Sequence, residues 1–130
     1  MAKADKYKTY FNPAGFVEQQ FIGTQTPESV LASVEDLIKW SKKLKSKQQP
    51  ALFLVDVTQV PKIDISSKMA HVRQRAVKAM TSAEYDRVAI YGNVAVQILV
   101  NTLVLIAGKR HKIRVFSNRV DALSWLKETA

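Results

Sequence analysis

The chain has 130 residues, 47% hydrophobic and 24% charged, an ordinary globular composition and long enough to bury a core without covalent staples. It contains no cysteine, which excludes disulfides, thiolate metal sites and thiol nucleophiles, and no stretch reaches the roughly 18 apolar residues of a membrane span. The net charge of +9 points to an acidic partner (phospholipid headgroups, nucleic acid or an acidic protein face) or serves solubility alone.

The opening decapeptide, MAKADKYKTY, has no apolar stretch and does not read as a secretory signal, so the expected location is cytoplasmic. From Lys6 to Asn12 apolar and polar residues alternate, Pro13-Ala14-Gly15 supplies a turn, and Phe16 to Gly23 resumes as a strand. This pattern predicts an antiparallel hairpin. Thr26 is a suitable N-cap and Pro27 a suitable first helical residue. Val30, Leu31, Val34, Leu37, Ile38 and Leu44 then recur at helical spacing to about Lys45. Trp40 falls off that stripe, between lysines, where it either anchors a membrane surface or is half-buried under the helix edge.

Leu52 to Lys68, LFLVDVTQVPKIDISSK, organises the rest. A short apolar strand, predicted over Ala51 to Val57, arrives at Asp56. A loop with Pro61 follows, then Asp64 and the serines Ser66 and Ser67, directly before a helical segment. In that helix Met69, Val72, Ala76, Val77 and Met80 mark the core face, and His71, Gln74, Arg75 and Lys78 the outer one. Arg87 to Gly92 is a third strand. Asn93 to Gly108 is the most apolar part of the chain, with Asn93, Gln97 and Asn101 four apart on one narrow stripe. A helix apolar nearly all round is expected to be buried on more than one side. Its covering is its own sheet, a lipid-sized pocket or another subunit, with Val104 and Leu105 as the residues a homodimer would bury. Ile113 to Phe116 gives the last strand, and Asn118 with Asp121 caps the last helix, whose inner stripe is read as Val120, Leu123 and Leu126, flanked by Ala122 and Trp125.

After the hairpin the order is strand and helix in strict alternation, which implies a mainly parallel sheet with right-handed connections. The expected fold is therefore a single α/β domain over residues 1–130, with a core at about 16–128. It is a (β/α) superhelix with an N-terminal antiparallel hairpin and four helices. Two basic tracts, Lys39 to Lys47 and Lys109 to Arg114, lack the interleaved aromatics of a base-stacking surface, which argues against nucleic acid.

There is no GxGxxG, phosphate loop, GxSxG or HExxH, and the two histidines, His71 and His111, are poorly placed for catalysis. No cofactor or metal is expected; Asp56 and Asp64 alone make a weak cation site. What remains is a polar rim at the carboxyl ends of the strands: Asp56, Asp64, Ser66, Ser67, Asn93, Ser117 and Asn118. These residues serve either as helix caps and strand-end turns or as a partner-binding rim with Ser66 as a phosphorylation switch at a helix N-terminus.

VDVTQVPKIDISSK resembles the signature of STAS domains, the sulfate-transporter and anti-sigma-factor-antagonist family. Asp56, Val60, Pro61, Ile63, Asp64 and Ser66 fall on matching positions. RVAIYG, the apolar helix and IRVFSNRVDALSWL are similar to the SpoIIAA-like branch, often grouped with the CRAL-TRIO lipid-transfer fold. The resemblance covers roughly residues 16 to 128. It implies a right-handed β/α superhelix and places the phosphorylated serine of anti-sigma-factor antagonists on Ser66. Ile65 stands where that motif has its first serine, and Ser67 where it has glycine. The resulting expectation is a non-enzymatic regulatory or protein-interaction module. The alternative is a binder or sensor of an apolar ligand or anionic lipid, using the face of Gln97, Asn101, Val104 and Leu105 with the basic tracts as headgroup contacts.

Overall fold

A computed structural model describes residues 6–61, 67–108 and 112–128. Asp64, Ser66 and His111 lie outside these residues. The hairpin strands are β1 (Tyr7–Asn12) and β2 (Phe16–Ile22). Their register is fixed by the three-residue turn, where Asn12 Oδ1 accepts from Ala14 N at 2.8 Å and Gly15 takes a φ of 105° that a side chain would resist. There follow α1 (Pro27–Ser46), β3 (Leu52–Gln59), α2 (Ser67–Ser82), β4 (Arg87–Gly92), α3 (Val94–Ala107), β5 (Ile113–Phe116) and α4 (Arg119–Lys127).

The sheet runs β1-β2-β3-β4-β5, antiparallel in the first pair and parallel in the rest. Each crossover moves one strand in the same direction. Right-handed connections of that kind put α1, α2 and α3 on one face, and α4 packs on the other against β3, β4 and β5. Strand parity divides the core accordingly. Val17, Phe53, Val55, Val57, Ile90 and Ile113 point towards the three-helix layer, and Phe16, Leu54, Ala89 and Tyr91 towards α4.

Thr26 opens α1 in a capping box with Ser29, accepting from Ser29 N at 3.1 Å while Ser29 Oγ accepts from Thr26 N at 2.9 Å. The buried residues of α1 are Ser33, Ser41 and Leu44, and both serines donate to carbonyls three residues back. Of the aliphatic stripe expected to bury this helix only Leu44 is buried, while Val30, Leu31, Val34, Leu37 and Ile38 are half-buried. Trp40 stacks on Phe11 at 6.0 Å under Lys43, so it belongs to the hairpin–helix contact.

Two expectations about helices are corrected. Among the described residues α3 is covered on one side only. Val104 is 1% exposed in the core, whereas Val94, Ile98, Leu105 and Ile106 are 59–69% exposed. In α4 the buried residues are Ala122, Trp125 and Leu126, and Val120 is 72% exposed. Val120 and Leu126 are six residues apart, about 240° around a helix, so they cannot share one stripe. The α4 layer is completed by Arg87 and Arg114 over the Trp125 ring, at 4.6 and 5.5 Å, and by Phe116 beside it.

Candidate functional site

Between the three-helix layer and the sheet lies a cavity of about 260 Å³, partly open to solvent. Its floor is Phe53, Val55, Val57 and Ile90 of β3 and β4. Its roof is Val30, Val34, Leu37 and Ile38 of α1 with Val72, Ala76 and Met80 of α2, and Val96 and Val100 of α3 close one end. Val30, Val34, Leu37 and Ile38 are half-buried because they line this space.

Gln19 shows how the wall holds its shape. It is 1% exposed on the helix-facing side of β2, and its Nε2 donates to Ser33 O at 3.0 Å and Thr9 Oγ1 at 3.1 Å. This contact tethers α1 to the hairpin through a polar group that is fully satisfied. Below, Tyr85 donates its hydroxyl to Met80 O at 2.6 Å, and burial pushes its phenol up to about 12.

Among the described residues Asp56, Asn93 and Asn118 of the expected polar rim each bond partners of their own. Asp56 points to the α4 side of the sheet, as strand parity with Leu52 and Leu54 requires, and its Oδ1 accepts from Thr58 N and Thr58 Oγ1 at 2.8 and 2.6 Å. Asn93 caps α3 through Ala95 N and Val96 N, and its Nδ2 donates to Val60 O at 2.7 Å, pinning the segment after β3. Asn118 caps α4 through Asp121 N at 2.9 Å. Ser117 is exposed beside it. Ser67 is the first residue of α2, while Asp64 and Ser66 lie outside the described residues. On α3, Gln97 Nε2 bonds Gly92 O at 2.5 Å, Asn101 and Leu105 are exposed, and Val104 faces the core.

The α4 side carries a polar chain that the sequence reading missed. Glu18, 6% exposed, accepts from the Tyr10 hydroxyl, from Asn12 Nδ2 at 3.4 Å and from the Arg119 guanidinium. Arg119 Nη1 also donates to the Tyr91 hydroxyl at 3.2 Å. Bonding to Glu18 raises both Tyr10 and Arg119 above their ordinary values, and burial raises Tyr91. The signal for half of this was legible: the three-residue turn sets Tyr10 opposite Glu18. Every member is paired within the chain. The cluster therefore ties α4 to the hairpin.

At the other end of the strands, Lys45 and Asp86 pair at 2.8 Å beside a shallow polar depression that includes Gln48 and Glu128. Burial opposes the Asp86 charge, but bonds from Lys45 and Ala51 N outweigh it and hold the carboxyl below its ordinary value. Among the described residues no group of three or more His, Asp or Glu side chains could hold a metal ion, and no helix is long and apolar enough to cross a membrane.

A mixed sheet in the order β1 to β5 with three helices on one face and one on the other is an architecture found among solved structures. The crystal structure of an uncharacterized DUF3478-family protein from Shewanella loihica, described as having a SpoIIAA-like fold, matches with a TM-score of 0.64 and 18% identity, over 97% of this chain and 98% of that one. The chain has a SpoIIAA-like fold. The STAS resemblance read from residues 16 to 128 is thus met at the level of architecture. No known protein-family model matches the chain, and no curated protein is significantly similar to it.

Proposed function

We propose that this SpoIIAA-like protein is a non-enzymatic regulatory module that binds an apolar ligand between its helix layer and its sheet, and that occupancy adjusts the surface it offers to a partner. The apolar cavity of about 260 Å³ carries the reading. Its lining is almost wholly apolar and partly reached by solvent, so an apolar ligand seated there would take that surface out of water. Helix α3 supplies the link to a partner, since Val96 and Val100 line the cavity while Val94, Ile98 and Leu105 face outward with no charged residue anywhere in the helix. A second copy of the chain is the simplest occupant of that outer face.

Native mass spectrometry of the protein purified from its own source, followed by organic extraction, tests the reading. A stoichiometric apolar adduct is expected, lost on extraction with a fall in thermal stability. Protein that carries no adduct and is not stabilised by any medium-chain hydrocarbon, alcohol or acid would overturn it.

A second reading concerns Ser66, which immediately precedes the first residue of α2 in the chain. A phosphate there would meet the positive end of the helix dipole. If Ser66→Asp leaves partner capture unchanged in a pull-down against the wild type, the switch is lost.

A further inference from the structure

Among the described residues six polar side chains line the cavity: Gln19, Gln25, Ser33, Ser41, Arg73 and Tyr85. Five are satisfied by bonds within the protein. Gln19 bonds Thr9 and the Ser33 carbonyl, Gln25 donates to the Lys6 and Ile22 carbonyls, the two serines bond α1 carbonyls, and Tyr85 bonds the Met80 carbonyl. Arg73 differs. It is half-buried at the cavity edge, and among the described residues no carboxylate or carbonyl takes its guanidinium. Two positions on, Arg75 is paired with Glu35 through its Nε at 2.9 Å. An otherwise apolar cavity with one uncommitted cation has the amphipathic character of a ligand with a single acidic head.

We propose that the cavity takes an amphipathic monocarboxylate, a medium-chain fatty acid in chemical class, with its carboxylate on Arg73 and its tail against Val55 and Ile90. This rests on the apolar-ligand reading above and names the head group. The planar guanidinium fork matches a carboxylate in two parallel hydrogen bonds, which a hydroxyl cannot reproduce. Among the described residues Arg73 is the only cation in the lining and no acidic side chain lines the cavity to repel the head, so one negative charge is matched and two are not. The size agrees. A dry apolar cavity of ~150 Å³ holds a benzene ring, so about 260 Å³ accommodates a tail of about eight to ten carbons.

Isothermal titration of the full chain with decanoate and with decanol separates head from tail. Decanoate is expected to bind at least about tenfold more tightly than decanol, the difference a charge-assisted pair supplies. Arg73→Gln should abolish that preference and leave decanol binding within about twofold of wild type, and Arg73→Lys should keep only part of the preference. Equal binding of the two probes to wild type, or an undiminished preference in Arg73→Gln, overturns the head-group assignment and leaves the cavity reading standing. Failure of both probes to bind wild type overturns the cavity reading itself. The wild-type comparison decides the matter even if the variant folds poorly.

Discussion

Arg119 at the start of α4 donates to Glu18 of β2 across 101 residues of chain. The two ends of the contact differ, with the Glu18 side chain 8% exposed and that of Arg119 43% exposed. Arg119→Ala leaves a buried carboxylate with only Tyr10 and Asn12 as donors. The expected loss is about 2 kcal/mol, below the usual range for breaking a buried pair because Arg119 is part-solvated. Urea denaturation of Arg119→Ala, Glu18→Gln and the double variant gives the coupling. Additive losses would show that the contact contributes little.

The junction of β3 and β4 is intolerant of a side chain. Gly92 has a φ of 126°, and a Cβ there would meet Thr58 N at 2.6 Å, a backbone atom that cannot step aside. Gly92→Ala is expected to lower stability by about 3 kcal/mol or more, from combined backbone strain and overlap. A melting temperature within a degree of wild type would contradict this geometry.

Filling the cavity should separate stability from binding. Ala76→Leu places a branched aliphatic group into the space above Val55 and Val57. The ligand-free variant should be about 1 kcal/mol more stable than ligand-free wild type, as cavity-filling substitutions commonly are. It should also lose decanoate and decanol binding together. Retained binding would place the ligand elsewhere.

Tyr85 predicts an alkaline transition. Its phenol has the ordinary value of about 10 when unfolded, and burial pushes it up to about 12 in the fold. Between these values the unfolded chain holds fewer protons, so stability is complete below about pH 10 and falls as pH rises towards about 12. Tyr85→Phe should cost about 1 kcal/mol at neutral pH through the lost bond to Met80 O. It should also flatten the fall between pH 10 and 12 relative to wild type, read by chemical denaturation across that range.

The elements and their order were legible because turn chemistry and periodicity agree locally, from the Pro13-Ala14-Gly15 hairpin to the Thr26 and Asn118 caps. The site was less so. Parity alone puts Asp56 with Leu54, but which helices cover that face depends on strand order, which no local pattern states. Gln19 reads as a polar residue on an edge strand until the Ser33 carbonyl is brought over it. The α4 stripe was misphased because a nine-residue helix offers only two turns from which to judge a period. The cavity has no sequence signature, since Val30, Val34 and Leu37 look the same whether they touch the sheet or stand off from it.

The strictly sequential sheet also bears on how the chain assembles. Each strand from β2 to β5 pairs with the one made just before it, so every pairing partner exists when the next strand leaves the ribosome. Each parallel pairing nevertheless closes a loop through a whole helix, as from Val17 to Phe53 and from Leu52 to Arg87, and such non-local pairing is slow to form. The Arg119–Glu18 bond, with Phe16 packed in the same cluster as Ala122, Trp125 and Leu126, joins the last helix to the first strands. Until it forms, the face of Leu54 and Tyr91 has no cover, and that interval is when the nascent protein is most exposed to aggregation or to a chaperone.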